Sequence, residues 1–297
     1  MLKTTSGTTA LATARRFCLG FTCCLLLNSG SSAQAQQGTP APSDTEPAAT
    51  GQQPQQRAVG NKLSGETIGS ELRKQRHSLS AAGQLFSAYY IDQVALEARG
   101  AVLLIPDLQH GPTSTSIVNS LRNALPQSHY STVTLDLRPI DRRDPQQMFE
   151  ALTAGIEFLA KQDVLNITLI AEGAGGAQAI DYLAKLSRDG GAALQNLRAL
   201  ILINARHSPT DSELDTLAAI TDIELSLLDA VSNNDFILKD LAQLRRKASQ
   251  STESESNYHQ LALPRIVNYT RRHDNSVTKR IRGWMDKNIS DAAVEQR

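Results

Sequence analysis

The stretch Ile167-Thr-Leu-Ile-Ala-Glu-Gly-Ala-Gly-Gly-Ala177 constrains this chain most. A short apolar run passes directly into small residues. It continues through Gln178, Ala179, Ile180, Tyr182, Leu183 and Lys185, a pattern that predicts strand, tight turn and helix. In α/β proteins such a corner, at the carboxyl end of a strand, is where ligands and chemistry gather.

The same alternation recurs on both sides of the corner. Ala101 to Ile105 is a continuous apolar run of the kind covered on both faces, and Pro106 ends it. Thr115 or Ser116 then caps a helix whose face carries Ile117, Val118, Leu121 and Leu125. Val133, Leu135 and Leu137 alternate as a strand. Asp144-Pro145-Gln146-Gln147 reads as cap, first helical residue and capping box for a helix with the stripe Met148, Leu152, Ile156 and Leu159. Beyond the corner helix, which ends near Asp189-Gly190-Gly191, come a strand at 200–203, a short helix at 211–219, a strand at 223–228 ending in Asp229, a helix at 236–247, a strand at 264–269 and a closing helix with Val277, Ile281, Trp284 and Met285 inward. Strands at 85–91 and 94–97, joined near Asp92-Gln93, read as an edge hairpin. Strands alternating with helices predict an α/β fold with a doubly wound, mainly parallel sheet.

Residues 1–35 read as an export signal. Lys3, Arg15 and Arg16 supply positive charge, Phe17 to Leu27 is apolar, and Ala33-Gln34-Ala35 fits a cleavage site, which predicts cutting after Ala35 and a periplasmic destination. The apolar run falls well short of the roughly 20 residues that cross a bilayer. No membrane span is therefore expected after cleavage. Cys18, Cys23 and Cys24, the only cysteines, all lie in this segment. Residues 36–58 form a Gln/Pro-rich linker too poor in large apolar groups to order itself, 59–83 a loosely defined segment with a short helix, and 84–290 the folded domain.

Composition excludes several functions. With 30 basic and 30 acidic residues the net charge is zero, which leaves no electrostatic footprint for nucleic acid. His77, His110, His129, His207, His259 and His273 show no paired spacing, so no metal is expected. A dinucleotide fingerprint wants a third glycine where Gln178 stands, and a phosphate loop wants a Gly-Lys-Ser/Thr that is absent. No cofactor is expected.

In order and spacing, Gly100 to Ile105 leading to His110-Gly111, then Leu121-Arg122, the glycine-rich corner and Arg282-Gly283-Trp284 resemble the α/β-hydrolase superfamily over roughly Gln84 to Met285. Within it they resemble a bacterial family of exported proteins filed as domain of unknown function 3530. The resemblance implies helices on both faces of the sheet and the corner pattern G-x-S-x-G. Ala171 to Gly175 occupy its five places, with Gly173 at the nucleophile position. It further implies Asp229 as the acid position, with Asn233 and Asp235 as alternatives, and His273 as the base. His110, Gly111, Glu172 and Ala174 fall at oxyanion-loop and elbow positions, with Asp107 in the same loop.

Acyl transfer through a covalent intermediate needs an oxygen or sulfur at the corner, and glycine has neither. The expectation is a non-catalytic binding or accessory protein of the cell envelope, its partner a small molecule or an envelope protein. The alternative is an atypical hydrolase of ester or related acyl bonds, in which Asp229 and His273 activate water. A third reading, a tethered structural protein, expects no enclosed apolar pocket beside the corner.

Overall fold

The unbroken apolar runs of the sequence become the middle of one sheet. The computed structural model describes residues 70–162, 164, 166–206, 213–250, 257–264 and 275–289. Their strands are β1 (Arg76–Ala81), β2 (Gln84–Ile91), β3 (Gly100–Ile105), β4 (Tyr130–Asp136), β5 (Ile167–Glu172), β6 (Leu197–Ile203), β7 (Ser226–Ser232) and β8 (Tyr258–Leu263). The helices are α1 (Ile117–Ala124), α2 (Pro145–Ala160), α3 (Ala174–Asp189), α4 (Glu213–Ile220), α5 (Phe236–Ser249) and α6 (Ser276–Asn288). Strand order is β1-β2-β4-β3-β5-β6-β7-β8, antiparallel for β1/β2 and β2/β4 and parallel throughout the rest.

Alternation along the strands makes two cores. Leu103, Leu135 and Leu169 face the side that Met148, Leu152, Ile180 and Leu183 cover from α2 and α3. Val102, Leu104 and Ile170 face the side that Leu121, Ile281 and Met285 cover from α1 and α6. Residues one apart on a strand point to opposite faces, so a continuous apolar run serves both cores at once.

Local signals act as their chemistry dictates. Ser116 caps α1, its hydroxyl accepting from the Asn119 amide at 3.2 Å. Asp144 caps α2 by accepting from the amides of Gln146 and Gln147. Gln147 does not complete the expected box, because its side chain takes the Asp141 amide at 2.6 Å while the Asp144 amide donates to the Asp141 carbonyl.

The edge hairpin is β1/β2, and its turn is Ala82-Gly83, both at positive φ (48° and 79°), as a two-residue hairpin turn of this hand requires. Residues 94–97 form no strand; Val94 and Leu96 are exposed. The segment 59–83 is therefore not loose at its end, since residues 70–74 are helical and 76–81 belong to the sheet. The last described strand is Tyr258–Leu263, before the expected 264–269, of which 265–269 lie outside the described residues.

Asp229 lies inside β7 rather than after it. It is wholly buried, as is Arg245 of α5 at 1% exposure, and the two form a two-pronged ion pair, Nε to Oδ2 at 2.8 Å and Nη2 to Oδ1 at 3.1 Å. The Tyr258 hydroxyl of β8 donates to Oδ2 at 2.5 Å. Burial, reinforced by the Asp229 charge, pushes the Tyr258 phenol well above its ordinary range, so it stays a donor. The trio ties α5 and the edge strand β8 to β7. Removing one member strands a buried charge, so Asp229→Ala or Arg245→Ala is expected to cost roughly 3–5 kcal/mol, while Asp229→Leu combined with Arg245→Met costs far less. Urea denaturation of the three variants checks this; a double variant as damaged as either single one would contradict it.

Candidate functional site at the Gly173 corner

The chain changes direction across β3. From β3 it moves to β4 on one side, and then to β5 on the other. That reversal leaves a crevice outside the carboxyl ends of β3 and β5, the place where open α/β sheets receive ligands. Asp107 follows β3 and Gly173 follows β5, so both stand at its edge.

Gly173 turns β5 into α3 with φ 59° and ψ −127°, a conformation that L side chains rarely adopt. Its amide donates to the Ile203 carbonyl at 3.0 Å, and its carbonyl accepts from the Arg206 amide at 2.9 Å and the Gly176 amide at 3.1 Å. The corner is thus bolted to the end of β6. Small residues after it allow the close approach: a Cβ on residue 176 would lie 2.6 Å from the Ala205 Cβ.

A side chain at residue 173 would also meet the Asp107 side chain, which would have to shift to admit it. A Cβ there would lie 2.6 Å from Cγ of Asp107 and 3.1 Å from its Cβ, and closer still to Oδ2. The Asp107 carboxylate therefore fills the space into which a corner side chain would project. Gly173 offers α3 no side-chain cap, and an anion near the helix N-terminus is favoured by about 0.3–1 kcal/mol. The Asp107 backbone carbonyl accepts from the His110 amide at 2.7 Å, a tight turn that brings His110 back towards the same end of the sheet.

Glu172 precedes the corner at the end of β5. Its Oε2 is buried with no hydrogen-bond partner among the described residues. Burial raises its carboxyl above the ordinary range; the Ser116 hydroxyl, the His110 ring and the Val118 amide pull it back, and the Asp107 charge raises it further. Glu172, Ser116 and the start of α1 thus share one environment with the Asp107 loop.

The sequence-derived positions divide into two groups. Glu172 shares its surroundings with His110 and Asp107, and Gly173 and Ala174 follow it directly in the chain, whereas the Gly111 amide donates to the Ser114 hydroxyl at 2.9 Å. Both Asp229 oxygens accept hydrogen bonds from Arg245 or Tyr258, and among the described residues no histidine is bonded to them. Asp235, the alternative acid, caps α5 by accepting from the Leu238 amide at 3.1 Å. His273 lies outside the described residues. Among those residues no cluster of three or more His, Cys, Asp or Glu side chains is arranged to hold a metal.

Eight strands in this order, with helices on both faces and a positive-φ corner after β5, define an α/β-hydrolase fold. The fold is similar to that of the esterase domain of a Rhodothermus marinus protein (15% identity, TM-score 0.55, covering 72% of this chain and 98% of that one). It is also similar to a dienelactone hydrolase from Anabaena variabilis (15%, 0.53, 72% and 99%) and to Est1E from Butyrivibrio proteoclasticus (12%, 0.56, 73% and 99%). Among curated proteins, none matches. The family described as protein of unknown function (DUF3530) matches over residues 138–287, 150 of the 297, and the chain belongs to that family.

The raised Glu172 carboxyl has a signed consequence. A group that holds its proton more tightly when folded contributes stability at acid pH, and that contribution fades as pH rises beyond the ordinary glutamate value of about 4.3. Glu172→Gln removes the fading term. The variant is expected to gain stability relative to the parent between pH 4 and pH 8 in urea titrations; a constant or opposite difference would contradict the assignment.

Proposed function

We propose that this is an exported α/β-hydrolase-fold protein of the cell envelope that lacks a serine nucleophile and binds its ligand or partner without transforming it. The observation that carries the reading is the corner itself: glycine at residue 173, with the Asp107 carboxylate packed into the space a nucleophile would need. The export signal in residues 1–35 supports the periplasmic destination. No helix among the described residues is long and apolar enough to cross a membrane.

The similar folds include proteins named as esterases and a dienelactone hydrolase, so acyl-bond hydrolysis is the activity to exclude first. A water-activating Asp229/His273 pair is disfavoured by the Arg245 and Tyr258 bonds that hold the Asp229 carboxylate. Purified protein is expected to hydrolyse 4-nitrophenyl acetate no faster than buffer and to take no label from a fluorophosphonate probe. Saturable turnover that disappears in Asp107→Asn or His110→Gln would overturn the proposal.

A further inference from the structure

A second feature lies away from the corner. A cleft of about 850 Å³ opens between α2, α3 and the end of α4, and none of Asp107, His110, Glu172 and Gly173 lines it. Its volume falls within the range of small-molecule sites, roughly 300–1,000 Å³.

The inner wall is apolar and aromatic. Met148 and Tyr182 are nearly closed off, at 2% and 3% exposure, and the Phe149 ring lies against Tyr182 with centroids 4.8 Å apart. The Thr153 hydroxyl pairs with the Tyr182 hydroxyl at 3.3 Å and fixes the ring. Burial raises the phenol to about 12, so the wall stays neutral.

Gln178 is 9% exposed, lines the cleft, and its side-chain amide makes no hydrogen bond among the described residues. Its donors and its acceptor are therefore free for a ligand held in the cleft.

The rim has an excess of positive charge. Arg142, Arg143, Lys185 and Arg188 face two acids, Asp181 and Asp222. Arg188 is paired with Asp222 at 3.5 Å, and Lys185 is occupied by Gln146 at 3.0 Å and by the Phe149 ring at 4.3 Å. The Arg142 guanidinium donates to the Leu108 carbonyl. Arg143 is exposed, and its guanidinium has no side-chain partner among the described residues.

We propose that this cleft binds a small aromatic carboxylate, its ring against Phe149 and Tyr182, its carboxylate on Arg143 and its polar edge on the Gln178 amide. Guanidinium groups recognise carboxylates through paired donors, and apolar walls bury the remainder of the molecule. The assignment goes beyond the non-catalytic reading of the corner and does not depend on it.

Calorimetric titration with 2-naphthoate and its neutral counterpart 2-naphthamide tests it. Saturable one-to-one binding of the acid is expected, with the amide at least about tenfold weaker. Arg143→Glu and Phe149→Ala are each expected to weaken the acid about tenfold, and Phe236→Ser, on the exposed start of α5, to leave it unchanged. No saturation at millimolar ligand, equal binding of acid and amide, indifference to Arg143→Glu, or loss through Phe236→Ser would each overturn the proposal.

Discussion

The structure turns on the contact between the Asp107 side chain and Gly173. β3 and β5 end side by side at the point where strand order reverses, and whatever follows each must share one crevice. A positive-φ corner fastened by backbone bonds to β6 and to Arg206 leaves residue 173 no freedom to move aside. The loop from β3 then delivers a carboxylate into the remaining space. The torsion favours glycine, and any larger residue would in addition displace the Asp107 side chain. The torsion alone would burden another residue by about 1–3 kcal/mol.

Charge is distributed around this contact in an ordered way. Asp107 lies at the positive end of α3, and Glu172 faces the start of α1, so two helix N-termini converge on two carboxylates. Helix dipoles make such places tolerant of anions. Asp229, the acid position that the family resemblance implies, is bonded within the core. It lies at the far side of β6 and holds an arginine and a tyrosine that clamp the edge of the sheet. Mutating it would therefore impair folding whether or not the protein had an active site.

Much of the fold was legible because its central strands are covered on both sides. Ala101 to Ile105 and Ile167 to Ala171 must be apolar throughout, and nothing else in a chain of this kind looks like them. Edge strands carry no such mark. Arg76-His-Ser-Leu-Ser-Ala81 and Tyr258-His-Gln-Leu-Ala-Leu263 have only part of their side chains covered, whereas Val94 and Leu96, read as strand, are apolar residues left exposed. At the site, the corner glycine was readable from local pattern, but its crowding by Asp107, 66 positions earlier, was not. The Asp229 clamp did leave a trace: Arg245 continues the buried face of α5 set by Leu238 and Ala242, and an arginine in an inward stripe calls for an inward acid.

A double-mutant cycle on Gly173→Ala and Asp107→Ala, followed by urea denaturation, measures the central contact most directly. If the carboxylate occupies the space a Cβ would need, Gly173→Ala costs distinctly more in the parent than in the Asp107→Ala background, with a coupling of about 1 kcal/mol or more above the shared torsional cost. Additive losses, agreeing within about 0.3–0.5 kcal/mol, would mean that Asp107 does not fill that space and would contradict the account.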